Sequence, residues 1–135
     1  MPINRTGVMG GAWTPQPQQR GTGDQAQEAE LIIPGDATIG TDTIPICQQT
    51  YTLTKGSAAA IILKAPTTAQ SGTVIVITSG SAFAHVVTAT GLLQDGVTGG
   101  AKSTITFGAF VGASITLVAS QKKWNVLGIN VAPVT

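Results

Sequence analysis

Few side chains in this sequence can do chemistry, and those that can are scattered. His85 is the only histidine and Cys47 the only cysteine, set among six carboxylates in 135 residues. A general base needs a nucleophile or an orienting carboxylate within reach, and a metal centre needs several ligands together. The acidic residues Asp24, Glu28, Glu30, Asp36, Asp42 and Asp95 form no ligand-like cluster along the chain. His85 therefore reads as a strand residue hydrogen-bonded locally or at an interface. No catalytic residue, metal ligand or cofactor is assigned. Cys47, between Ile46 and Gln48, reads as a small buried hydrophobe. Being alone it forms no intrachain disulfide, which is compatible with synthesis in a reducing cytosol.

Two further stretches approach known chemistry. Gly96 to Ser103, GVTGGAKS, nearly matches the phosphate-binding pattern G-x-x-x-x-G-K-[ST], with Ala101 in place of the last glycine. That loop needs a helix after it whose N-terminus receives the phosphate. Here Thr104-Ile105-Thr106-Phe107 continues as a strand, so a glycine-rich surface loop is expected. Lys122 and Lys123, at a turn, keep that tip solvated and discourage edge pairing.

The elements that would position these residues are strands. Ser114 to Asn130 reads as a β-hairpin, because side chains alternate across a strand and both halves repeat that layout around Ser120 to Lys123. Further short runs are expected at Tyr51–Leu53, Ala59–Lys64, Thr73–Thr78, His85–Ala89 and Thr104–Phe107, separated by Gly and Ser breaks. With Ser114–Ala119 and Trp124–Ile129 they make seven. This spacing predicts an all-β chain: an antiparallel β-sandwich or jelly-roll-like domain of about seven or eight strands over residues 49–135. Val74 and Val76 lie opposite Ile75 and Ile77, so the strand holding them is expected to be covered on both faces, the second by another subunit or an arm. Trp124 is expected in the core or a subunit interface.

Residues 1–48 read as an extended N-terminal arm and connector, rich in Gly, Pro and Gln up to about residue 30; from Leu31 to Gln49, Pro34-Gly35 and Pro45 break the chain into two or three short extended pieces that read as connector or edge strand. Such an arm orders only by lying on other chains. Trp13 is its natural anchor, and Arg5 and Arg20 are its cations.

Charge narrows the function classes. Charged residues make up 10% of the chain, well below the roughly 25% of an ordinary soluble domain. Much of the surface is therefore expected to be covered by copies of the chain or by a partner. Residues 1–48 hold two arginines against five carboxylates, a net −3, and the remainder five lysines against Asp95, a net +4. Neither half is basic enough for a nucleic-acid binder. The apolar runs are too short to span a membrane, and MPINRTGVMGGAW lacks the apolar stretch of a secretory signal.

Ser71 to Gly96, SGTVIVITSGSAFAHVVTATGLLQDG, and Ala109 to Asn130, AFVGASITLVASQKKWNVLGIN, resemble small structural β-domains of tailed bacteriophages, among them head decoration (cement) proteins and tail-fibre or spike modules. The resemblance covers about residues 51–130 and consists of strand texture without a site motif. It implies a structural virion protein on the outer surface of the phage head, made in the host cytoplasm, whose partner is the major capsid protein. It also implies self-association, with a homotrimer ahead of a homodimer, and it carries over no catalytic residue. A receptor- or glycan-binding tail-fibre or tailspike module is the alternative.

Overall fold

The computed structural model describes residues 30–97, 100–130 and 134–135. The expected anchor residues Arg5, Trp13 and Arg20 lie outside the described residues. The described chain is all-β apart from one 3-10 turn at Thr68–Gln70. Its strands are β1 (Glu30–Ile33), β2 (Ala37–Ile39), β3 (Thr50–Leu53), β4 (Ala60–Leu63), β5 (Val74–Ser79), β6 (Val86–Gln94), β7 (Lys102–Thr106), β8 (Ser114–Ser120) and β9 (Lys123–Asn130). All seven expected runs are strands, with shifted ends. β6 runs on furthest, past Ala89 to Gln94.

The alternation read from the sequence is the alternation of burial. β5 buries Ile75, Ile77 and Ser79 and turns Val74, Val76 and Thr78 outward, while β8 buries Ile115, Leu117 and Ala119. Branched side chains suit this pleated, half-buried setting. The inward residues of every strand join one hydrophobic cluster, and it includes Ile33, Ile39 and Ile46. Residues 30–48, expected as connector or edge strand, supply the two end strands of the sheet path and also part of the core.

Strand direction corrects the antiparallel expectation. Five of the eight strand pairings are parallel and three antiparallel. The path across the sheet runs β1-β3-β5-β8-β9-β6-β4-β2, with β7 alongside β6. The chain therefore crosses from one side to the other and back. Glu30 pairs with Thr50 and Thr50 with Val76, while Ala37 pairs with Ile61 and Ala60 with Val86, so like strands return every 20 to 26 residues. Three such coils are stacked as in a solenoid and closed by β7, β8 and β9, of which β7 and β8 run against the coil strands and β9 runs with them. Parallel and antiparallel strands share the same two-residue side-chain period, so the pattern carried no direction.

The sheet nearly closes. Its two path ends, β1 and β2, are joined by Pro34-Gly35-Asp36 alone, a link that reaches only about 10 Å. The seam on the far side is narrow: β9 meets β6 through Trp124↔Leu93 and Asn125↔Gln94. Gly91, at φ +68, lies where the β6–β7 register breaks between Thr88 and Leu93, just before the two β6 residues that pair with β9. Trp124 is fully buried at this seam, and its Nε1–H donates to the Lys64 carbonyl at 3.0 Å. The core alternative expected for Trp124 is the one observed. The β8–β9 turn places Gln121 and Lys122 at φ 52 and 62, the mirror-image geometry that matches strand twist but favours Asn-Gly.

Trp124→Phe keeps most of the apolar volume and orphans the Lys64 carbonyl. Urea unfolding should show a loss of about 1–3 kcal/mol. Lys122→Gly removes a side chain from left-handed backbone and should raise stability by roughly 0.5–1 kcal/mol in the same assay.

Candidate functional site

Loops gather at two ends of the strands. At one end Lys55 Nζ reaches Asp36 Oδ1 at 2.8 Å, Ser81 Oγ donates to the Lys55 carbonyl at 2.7 Å, and Phe107 N–H donates to the His85 carbonyl at 2.8 Å. His85 sits beneath these loops with no exposed surface. Its Nδ1 accepts the Ala59 N–H at 3.0 Å, and its Nε2 lies 2.9 Å from Ser81 Oγ.

A histidine beside a serine invites comparison with a nucleophile and its base, but the proton order runs the other way. Because Ala59 N–H must donate to Nδ1, the neutral ring carries its proton on Nε2 and donates it to Ser81 Oγ. The Ser81 hydroxyl in turn donates its hydrogen bond to the Lys55 carbonyl. The nitrogen facing the hydroxyl is protonated, so this pair does not activate Ser81. The ring instead ties the β3–β4 and β5–β6 loops together, the local hydrogen-bonding role expected from the sequence. Burial, above all, pushes the His85 pKa below the ordinary 6.5, and the nearby Lys55 ammonium adds to the effect against the opposing Ser81 backbone hydrogen bond.

At the opposite end a cleft of about 420 Å³ lies between the β2–β3 and β4–β5 loops. Thr41 and Gln70 of its lining are committed internally. Gln70 bonds Thr67 N–H at 2.8 Å and the Ile46 carbonyl at 3.4 Å, and Thr41 Oγ1 bonds the Thr38 carbonyl and Ile44 N–H. Beside it the Tyr51 hydroxyl donates to the Pro45 carbonyl and accepts Cys47 N–H at 3.2 Å. This hook points Ile46 inward and leaves Cys47 exposed, which corrects the expected burial of Cys47. The glycine-rich stretch leads into strand β7 with no helix, and Lys102 pairs with Asp95 at 3.0 Å. Among the described residues, no three His, Cys, Asp or Glu side chains come together to hold a metal, and no helix is long and apolar enough to cross a membrane.

Two surfaces remain. The first is the outer face of β1, β3, β5, β8 and β9. Register lines up Thr50, Val76 and Thr116 in one row, Ile32, Thr52, Thr78 and Ser114 in a second, and Val74, Val118 and Asn125 in a third. Glu30, beside Thr50, is the one charge in these rows. Val74 and Val76 are half-buried on this face. The second surface is at the His85 end. Asn130 Nδ2 donates to the Gly112 carbonyl at 3.2 Å and brings the end of β9 against the β7–β8 loop. Phe110, Val111, Leu127 and Ile129 are 50–68% exposed there. Phe83 and Phe110 lie on loops. Phe110, on a glycine-flanked loop, was the one legible signal for this patch. The chain matches no family model, and no curated protein matches it.

A neutral, buried His85 makes stability depend on pH with a definite sign. The unfolded chain takes up the proton first as pH falls below about 6.5, so stability is full above that value and declines until the lowered folded pKa is passed. Thermal melts should show this decline and His85→Gln should flatten it. NMR titration of the single histidine should give a pKa below 6.5 with Nδ1 unprotonated; a pKa at or above 6.5 contradicts the assignment.

Proposed function

We propose that this chain is a structural virion protein that decorates the outer surface of a phage head and ties neighbouring major capsid subunits together. The observation that best supports this reading is the exposed apolar end, Phe110, Val111, Leu127 and Ile129, in a chain of only 10% charge. Exposed large apolar side chains gathered at one end of a domain mark a place where another macromolecule sits. The sequence resemblance of residues 51–130 points to the same class. In this reading the body is a sandwich-like β-domain, and the segment around Trp13, Arg5 and Arg20 adds a second attachment point. Many modest contacts linked through one chain raise its effective concentration on the head.

A receptor- or glycan-binding tail-fibre module is the second reading. Exposed Phe83 and Phe110 on loops favour it, as does the stacking of parallel coils, which suits a stem.

Co-sedimentation with purified undecorated heads tests the first reading. Phe110→Ser should weaken binding roughly ten-fold without lowering the melting temperature, as for a central apolar anchor. Removing residues 1–29 should also weaken it and leave the β-domain folded. Labelling at the tail, or a clear hit on a glycan array, would put the second reading first.

A further inference from the structure

Few groups hold the β3–β4 loop to its neighbours. Its two ends are fixed by backbone, where Gly80 N–H donates to the Leu53 carbonyl at 2.8 Å and Val86 N–H to the Ala59 carbonyl at 2.9 Å. Between them Gly56, Ser57 and Ala58 are exposed. Among the described residues, side chains of the β5–β6 loop reach this stretch at two points: Ser81 Oγ on the Lys55 carbonyl, and His85 Nδ1 on the Ala59 N–H. The two side chains that do so lie 2.9 Å from each other.

That connection tolerates only one protonation state of the ring. Nδ1 accepts the Ala59 N–H, and a second proton on the ring goes to Nδ1, which sets donor against donor and breaks the bond. The imidazolium would also carry its charge at a place with no exposed surface. Little around it balances that charge. Residues 80–84 of the β5–β6 loop, residues 107–113 of the β7–β8 loop, and strands β4, β5 and β6 hold no titratable side chain. On β7 the one charge, Lys102, is paired with Asp95. From the β3–β4 loop Lys55 brings a like charge, and from the β1–β2 loop the Asp36 carboxylate is already bound by Lys55 Nζ at 2.8 Å and by the Ala60 N–H at 2.9 Å.

We infer that His85 is an acid-released latch: one proton taken up by its ring frees the β3–β4 loop from the β5–β6 loop while the strands beneath stay paired. Once the loop has swung away the imidazolium is solvated, and its pKa returns to about 6.5. Release also undermines the apolar end. The loop that carries Phe110 and Val111 hangs from the same segment, with Phe107 N–H on the His85 carbonyl and Gly112 N–H on the Ser79 carbonyl, both at 2.8 Å. Phe83 stands edge-on to the imidazole, ring centroids 6.5 Å apart. The exposed aromatic surface is therefore firm at neutral pH and loosened in acid. The inference concerns the chain itself and does not depend on what that surface binds.

Native-state hydrogen exchange read by NMR on the purified full chain tests it. With the intrinsic pH dependence of exchange divided out, opening at Ala59 is coupled to one proton. Its protection should fall about ten-fold per pH unit below about 6.5, until the ring titrates in the closed state. Low concentrations of urea should leave exchange at Ala59 unchanged while accelerating it at Leu117, in the buried centre of β8, which opens only globally. His85→Gln, which cannot take up the proton, should abolish the pH slope at Ala59. Protection at Ala59 that is flat with pH, exchange there that follows Leu117 in urea, or a slope that survives in a folded His85→Gln variant would each overturn the inference. Should that variant fail to fold, the pH and urea dependence of the wild type decide.

Discussion

The fold depends on how two stacks of strands are held to each other, and Trp124 does most of that. β1, β3, β5, β8 and β9 lie on one side of the seam and β6, β4 and β2 on the other, joined through two residue pairs. So short a ladder would be weak as hydrogen bonding alone, where each bond nets only about 1 kcal/mol. A fully buried indole changes the balance. It fills the corner between the stacks, and its N–H satisfies the Lys64 carbonyl at the end of β4, a strand it does not pair with. One side chain thereby braces three elements.

What could be read in advance follows from what a sequence encodes locally. The hairpin of Ser114 to Asn130, the two faces of Val74 to Ile77 and the buried side of each strand were all legible, because each depends on alternation within one segment. Pairing direction was not, since it is decided between segments. Nor was the coil: β1 and β2 are only four and three residues long, and their membership shows only once Ile33 and Ile39 are placed in the core. Cys47 was misread for a similar reason. The hook that turns it outward runs from the Tyr51 hydroxyl, four residues on, to the Pro45 carbonyl. The candidate sites were less legible still. Rows such as Thr50, Val76 and Thr116 exist only in register, and the Phe110 patch is assembled from a loop and the end of β9.

The polar groups at the His85 end show how a small domain with little charge keeps its loops in place. Asp36 accepts from the Ala60 N–H and from Lys55, which together hold its carboxyl below the usual carboxylate range, the Ala60 bond first. Ser81, Lys55 and His85 continue the chain of contacts into the next loop. Each coil is thus fastened to the one above it by side chains where its backbone ladder ends. This rigidity lets exposed aromatic residues project from loops without those loops collapsing onto the core.

The stacking of coils also gives the molecule a direction under load. Tension arriving from residues before Glu30 enters at β1, a four-residue edge strand whose ladder neighbour is β3. Its bonds can give way singly, with β2 and then the next coil following. Tension arriving at β8 or β9 meets interior strands bonded on both edges for some or all of their length, which yield only when many bonds break together. A tether at the amino end therefore behaves as a graded fuse, lengthening coil by coil while the hairpin and its tryptophan corner hold.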